Sequence, residues 1–386
     1  YILYDGLKAC GACVDYTLPH RIRDGYGLSE KLIRDAYEQG CDTILTCDNG
    51  IAAAAEIALA KQLGMTVIVT DHHEVPLHWE GDTSTAVLPA ADAVVDPKRT
   101  DCAYPWKGIC GAVVAWKVLQ LVQRICGQPD AWKKYLAFAA FATIGDVMEL
   151  RGENRTITAL GLQQLRQTDN VGLQALTAAS GLEPDQIRAY HIGYVIGPCI
   201  NATGRLDTAK RALELLTETD TMRAQQIAQE LVSLNEERKQ LTTEGVEEAV
   251  RIVEEQELWK KPVLVVYLPH THESLAGIIA GRLRERYYRP TYVLTDGEGC
   301  VKGSGRSIPA YHMYEHLSRV GDLLIKFGGH AMAAGLSLER AQVEPFAGLL
   351  CEQAMLSPED LTETIRIDVP MPLSYISETL ISQLSV

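Results

Sequence analysis

The chain has 386 residues, of which 47% are hydrophobic and 22% charged, and a formal net charge of −14. That composition is globular and the length suffices for two cores, while no apolar run approaches the roughly 20 residues a membrane span needs and no signal peptide is expected. The ten cysteines include one close pair, Cys10 and Cys13, so a zinc ribbon is excluded and reduced thiols in a cytoplasmic protein are expected.

In chain order, residues 13–18 read as a strand. Residues 29–39 read as a helix, with Ser29 as its cap and Gly40 as its stop. An apolar run over 42–47, a helix over 52–63, a β-branched strand over 65–70 and a strand over 93–95 follow. This alternation predicts a parallel sheet covered on both faces. From Gly111 onward the pattern is mostly helical. Over 221–257, Ile227, Leu231, Leu234, Leu241, Ala249, Val250 and Val253 recur near helical spacing without a proline, which predicts one long helix. After Pro262, a strand over 263–267, a helix over 274–287 and a strand over 291–294 form a second α/β unit. Beyond Pro358, residues 365–369 alternate like a half-buried strand. The expected fold class is therefore α/β, with two α/β domains joined by a long helix.

Three acids end apolar elements. Asp71-His72-His73 closes the 65–70 run, Asp48-Asn49-Gly50 closes the 42–47 run, and Asp146 follows the run over 138–145. Open α/β sheets place their chemistry at the C-terminal ends of strands. Carboxylate with imidazole suits Mn²⁺-like ions, and also Mg²⁺ or Zn²⁺. Singly, Asp-Asn-Gly is good turn chemistry and His-His a common capping pair. Together the three acids point to a shared metal site.

Thr46-Cys47-Asp48-Asn49-Gly50, Asp71-His72-His73 and Ile144-Gly145-Asp146-Val147 resemble motifs two, three and four of the DHH phosphoesterase superfamily. Lys302-Gly303-Ser304-Gly305-Arg306-Ser307 and the segment from Phe327-Gly328-Gly329-His330 to Gly335 resemble its companion DHHA1 domain. The arrangement is similar to the RecJ-type exonucleases, which act on single-stranded DNA from the 5′ end. The resemblance implies a DHH domain over 1–220, a connecting helix over 221–257 centred on Leu234-Asn235-Glu236-Glu237-Arg238-Lys239, a substrate-binding DHHA1 domain over 258–356, and the start of an OB-type domain over 357–386. Two divalent ions, Mn²⁺ or Mg²⁺, would be the cofactors. Asp48 would bridge them, and His72 and Asp146 would complete one. His73 would contact the scissile phosphate or protonate the leaving group, and Asp71 would orient its neighbours or sit near the ions.

The same resemblance nominates Arg21, Asn201 and Arg205 for the DNA backbone or the 5′ phosphate, since a guanidinium fork suits a terminal phosphate. In the DHHA1-like part it nominates Gly303, Ser304, Gly305 and Arg306, the glycines freeing the backbone to approach a phosphate, together with Gly328, Gly329 and His330. Two departures stand out. The superfamily's first motif, an Asp-x-Asp cluster, would lie upstream of Tyr1, so a truncated chain is expected. Cys199 stands where many relatives have arginine. Charge is unevenly spread: residues 214–257 carry twelve acids against four bases, and residues 280–340 nine bases against six acids. Phosphate binding needs only such a local positive field. The partners implied are single-stranded DNA, a single-strand-binding protein or a helicase, with no membrane and a monomeric state. The alternatives are a phosphodiesterase for nano-RNA or cyclic dinucleotides, and an inactive DNA-binding scaffold.

Overall fold

The structure is a computed structural model that describes residues 1–19, 27–80, 83–206 and 208–384. Contacts divide it into two units, Tyr1–Asn235 and Glu236–Val386. The first unit opens with α1 (Ile2–Ala9) and α2 (Glu30–Glu38), whose cap is Ser29, its side chain accepting from Leu32 N. Three short strands, β1 (Thr43–Leu45), β2 (Thr66–Thr70) and, after an antiparallel hairpin β3 (Leu77–Glu80) and β4 (Thr83–Ala86), β5 (Ala93–Val95), build a parallel sheet in the order β1-β2-β5. α3 (Ala54–Gln62) connects β1 to β2. Val67 and Val69 of β2 pack with Ile33 of α2 and Ile57 and Ala60 of α3, so one face of the sheet is sealed by alternating apolar residues.

The rest of this unit is helical: α4 (Gly111–Ile125), α5 (Leu136–Gly145), α6 (Gly152–Arg166), α7 (Val171–Ala179), the short α8 (Ala189–His191), α9 (Gly197–Leu206) and α10 (Lys210–Thr217). α11 (Thr221–Glu255) is one continuous helix of 35 residues. Its first half gives Ala224, Ile227, Ala228 and Leu231 to a core with α7, α9 and α10, and its second half gives Ala249 and Val253 to the second unit. It ends where Glu257 turns left-handed at φ 51°.

The second unit is a five-stranded mixed sheet, ordered β6-β7-β8-β10-β9, of β6 (Leu264–Tyr267), β7 (Thr291–Asp296), β8 (Val301–Arg306), β9 (Leu324–Gly329) and β10 (Ala333–Leu338). β6 and β7 run parallel; the other pairs are antiparallel. Residue alternation on β7 sends Val293 to one core, with α12 (Ala276–Tyr287), and Tyr292 and Leu294 to the other, with α13 (Met313–Arg319) and α14 (Val343–Gln353). A last short helix, α15 (Glu378–Leu384), is exposed.

The α/β class, the parallel sheet and the long helix agree with the sequence reading. Two strands do not. Residues 13–18 are irregular, because among the described residues nothing pairs on the outer edge of β1. Residues 365–369 are also irregular and exposed, so the OB-type reading gains no support: alternation cannot make a strand without a neighbour to bond. Most residues of the glycine-rich segments 302–307 and 327–335 lie inside β8, β9 and β10.

Candidate metal centre

The site is built at the C-terminal ends of β1 and β2. Thr46 and Thr70 lock these ends together: Thr70 Oγ1 donates to Thr46 O at 2.7 Å, and Thr70 N to Thr46 Oγ1 at 3.2 Å. Thr46 Oγ1 also donates to Asn49 O at 2.7 Å, which bends the chain sharply after β1. Asp48 takes up that bend at φ 63°, a conformation open to Asp because its short polar side chain bonds locally. Gly50 follows at φ 113°, where any side chain would be strained.

His72 follows β2 and is buried. Its Nε2 lies 3.0 Å from Asp48 Oδ1 and 3.5 Å from Asp146 Oδ2. Ligand atoms of Asp48, His72 and His73 lie within 4.8 Å of one another. Asp146 arrives at the end of α5, where its N–H donates to Ala142 O at 2.9 Å. The next residue, Val147, sits at φ 55°, which is strained for a β-branched side chain.

Asp71 is the pivot. It is only 1% exposed. Its Oδ1 accepts from His72 N at 2.7 Å, from His73 N at 3.3 Å and from His73 Nδ1 at 2.7 Å, and its Oδ2 accepts from Ile51 N at 2.9 Å. Burial alone would raise the Asp71 carboxyl, but the bonds from His73, Ile51 and His72 outweigh it and hold it below the usual carboxylate range. The carboxylate bond in turn raises His73 above the usual imidazole value, against the effect of burial. Asp146 is raised, first by burial and then by the like charge of Asp48, while His72 opposes both. A carboxylate pushed up by a neighbouring carboxylate is a group that a cation would relieve.

Two further residues shape the site, and sequence reasoning missed both. Gly111 opens α4 directly against Asp48: a Cβ there would overlap the Asp48 carboxylate, so only glycine admits the acid. Asp96 ends β5, as Asp48 and Asp71 end their strands. It is buried, its Oδ2 has no hydrogen-bond partner, and burial raises its carboxyl. Asp96 obeys the rule that found the other acids, an acid closing an apolar run, here Val94-Val95-Asp96.

With this geometry in view, two family descriptions match: the DHH family N-terminal domain over residues 1–143 and the DHHA1 domain over 260–354. A solved structure of exonuclease RecJ bound to manganese superposes with a TM-score of 0.80 at 32% identity, covering 94% of this chain and 88% of that one. The chain belongs to the RecJ family. Among curated RecJ proteins it is 36% identical to that of Bacillus subtilis (strain 168), over 100% of this chain and 48% of the relative. It is 38% identical to that of Salmonella typhimurium, over 88% of this chain and 61% of the relative. The chain thus spans about half to three fifths of the length of these RecJ relatives. The donor set suits the manganese of the RecJ neighbour: one imidazole and two carboxylates converge, and the Asp71 carboxylate accepts hydrogen bonds from His72, His73 and Ile51.

The remaining sequence-nominated residues fall in several places. Arg21 lies outside the described residues. Asn201 is exposed and Arg205 half-buried on α9. Cys199 is buried in the helical core, its thiol donating to Val195 O at 3.2 Å. In the second unit Gly303 and Gly305 have a different reason from the one the sequence suggested. Both face the core: a Cβ at Gly303 would lie 2.5 Å from Leu294 Cδ2, and one at Gly305 2.5 Å from Met313 Sδ. Ser304 and Arg306 point the other way, toward Gly277 of α12, where a Cβ would lie 2.8 Å from Arg306 Nη2. Gly328 and Gly329 end β9. His330 N donates to Ala333 O at 2.8 Å, and Ala333 is the register partner of Arg306, so His330 and Arg306 share one end of this sheet.

Proposed function

We propose that this chain carries the hydrolytic core of a metal-dependent exonuclease that removes nucleotides from the 5′ end of single-stranded DNA in repair and recombination. The observation that carries the reading is the convergence of Asp48, His72 and Asp146 beside a histidine fixed by a buried carboxylate. Asp48, His72 and Asp146 would hold divalent ions, Mn²⁺ or Mg²⁺. A pair of such ions, when bound, neutralises the phosphoryl group and supplies hydroxide at neutral pH.

The chain's own residues do the rest. Asp71 engages Nδ1 of His73, which leaves Nε2 as the nitrogen free to meet the phosphate or to give its proton to the leaving oxygen. The bond to Asp71 raises His73 above the usual imidazole value, which favours its protonated form. Arg21, Asn201 and Arg205 are assigned to the DNA backbone or the 5′ phosphate. Ser304, Arg306 and the Gly328-Gly329-His330 turn are assigned to the strand, with Gly303 and Gly305 contributing by shaping β8. We assign 1–220 to the DHH domain, 221–257 to the connecting helix and 258–356 to the DHHA1 domain. Among the described residues no helix is long and apolar enough to cross a membrane, and none of the ten cysteines is in a disulfide. These two facts support a cytoplasmic protein. A monomer working with a single-strand-binding protein or a helicase completes the reading.

The test uses the protein translated from its full reading frame, with 5′- and 3′-labelled oligonucleotides and added Mn²⁺ or Mg²⁺. Release of mononucleotides from the 5′ end, abolished by chelator and by Asp48→Ala with DNA binding retained, is the expected result. DNA binding without hydrolysis under every metal condition would overturn the nuclease reading in favour of a scaffold.

A further inference from the structure

Outside the metal centre, a pair of tyrosines in the first unit stands out. Tyr190 and Tyr194 are 63% and 70% exposed, although tyrosines of a folded domain usually bury most of the ring. Their rings stack on each other, centroids 5.1 Å apart at an interplanar angle of 27°. His191 meets the Tyr190 ring edge-on at 5.7 Å. The backbone beneath is unusual. After α8 the chain makes a π-helical turn over Ile192–Ile196, closed by Gly197 N–H donating to the Ile192 carbonyl. Such turns are rare and cost hydrogen-bond geometry; proteins retain them mostly at functional sites. Gly197 is required there, since a Cβ would lie 2.5 Å from that same carbonyl oxygen.

The position of the pair gives it a direction. A Cβ built at Gly193, within the π turn, would lie 3.8 Å from Ile144 Cγ2, and Ile144 is two residues before Asp146. The π turn that carries Tyr194 therefore packs against the end of α5 that brings Asp146 to the metal centre. On the other side the π turn runs directly into α9, which carries Asn201 and Arg205. Arg188 caps α8 one turn ahead and is exposed. An exposed stacked aromatic pair thus sits on a helical run that touches the end of α5 next to the candidate metal centre, with Arg188 before it and Arg205 after it in the chain. It offers flat π faces with positive charge at either end.

We propose that Tyr190 and Tyr194 form a stacking platform for a nucleobase of single-stranded nucleic acid, holding the strand in register with the metal centre. The proposal rests on the nuclease reading and deepens it by naming where a base, rather than a phosphate, is gripped. Aromatic stacking is tolerant of sequence because every base has a π face, and phosphates on either side suit guanidinium groups. The two tyrosines are positioning residues.

The test is fluorescence anisotropy with a labelled oligonucleotide whose linkages are phosphorothioate, using the full-length protein. Tyr190→Ala and Tyr194→Ala should each weaken binding about 5- to 150-fold, the range expected for loss of one base–aromatic stack. Tyr194→Phe keeps the π face and should bind like the parent. A second readout moves a single abasic residue along the oligonucleotide. The parent should lose affinity at one position, and Tyr194→Ala should lose that position dependence. Both variants binding within about twofold of the parent, with the abasic profile unchanged, would overturn the platform; this is well below one lost stack. In that case continued 5′ degradation would show the nuclease reading intact. Failure of the parent to bind this oligonucleotide and to degrade its phosphodiester counterpart would overturn both. A parent that self-associates through this pair, with Tyr194→Ala becoming monomeric and binding DNA as before, would make the patch a contact between copies and also overturn the proposal.

Discussion

The two sheets end differently. In the first unit the strand ends carry Asp48, Asp71, His72 and Asp96, with His72 Nε2 3.0 Å from Asp48 Oδ1. In the second unit the corresponding sequence signal was glycine, and Gly303 and Gly305 turn out to make room for Leu294, Leu336, Tyr292 and Met313. The difference lies in what each residue type costs. A buried carboxylate or imidazole at the end of an apolar strand is expensive unless it is paired, so its presence argues for a task. A glycine in a strand weakens the strand modestly and is tolerated wherever a neighbour needs the space. The first signal therefore reads as chemistry and the second as packing.

The sharpest way to break this comparison is at Asp48. Asp48→Ala should lower turnover by more than about 100-fold, since loss of even an outlying partner of a metal ligand costs roughly 10–100-fold. Isothermal titration with Mn²⁺ should show weakened binding in parallel. Gly111→Ala should phenocopy it without touching an acid, because the new methyl group displaces the Asp48 carboxylate. Full activity in Gly111→Ala would mean that Asp48 is not held where the site requires it.

Asp71→Asn comes next. The amide keeps the shape but cannot accept from both His73 and the His72 and His73 backbone as strongly as the carboxylate does. A loss of turnover of roughly 10–100-fold with metal affinity nearly unchanged is the expected outcome. If metal affinity collapsed instead, Asp71 would be a ligand rather than the group that orients His73.

The glycines sharpen the other side. Gly303→Ala and Gly305→Ala should each destabilise the second unit by about 1–3 kcal/mol, the usual cost of overfilling a packed core. Gly328→Ala, with nothing within 4 Å of the added carbon, should be near neutral by the same thermal-unfolding measurement. Unchanged stability in Gly303→Ala together with weaker DNA binding would restore the phosphate-approach role that the sequence first suggested.

These cases also mark what was legible in the chain. The parallel sheet, α11 and the acids at strand ends follow from periodicity and from the rule that an acid closing an apolar run needs a reason. Asp96 obeys that rule and follows the strand read over 93–95, but no histidine or turn motif beside it drew attention to it as at Asp71 and Asp48. Gly111 was invisible because its reason is a contact across 63 residues of sequence, and no local pattern carries that. β8, β9 and β10 were hidden because their glycines erase the alternation that marks a strand. Residues 13–18 and 365–369 had strand-like composition but, among the described residues, no partner edge, which is a tertiary matter. Tyr190 and Tyr194 escaped notice because two exposed tyrosines look ordinary until a π turn is seen to present them together.

The smallest effect, and the most discriminating about strain, concerns Val147. It sits at φ 55° and is 89% exposed, so no packing compensates a β-branched side chain held in the left-handed region. That conformation costs about 1–2 kcal/mol in a residue with a Cβ. Glycine removes the penalty but gives back up to about 1 kcal/mol through the greater freedom of its unfolded chain. Val147→Gly should therefore be neutral or stabilising by up to about 1 kcal/mol in thermal unfolding. The turn it closes ends α5 and aims Asp146 at His72, with Val147 N bonded to Ile144 O and Met148 N to Thr143 O. If the strained residue stiffens that aim, the variant should lose activity as it gains stability, the usual exchange at a functional site. Loss of stability in Val147→Gly would show that the valine makes a compensating contact and that the turn stores no strain at all.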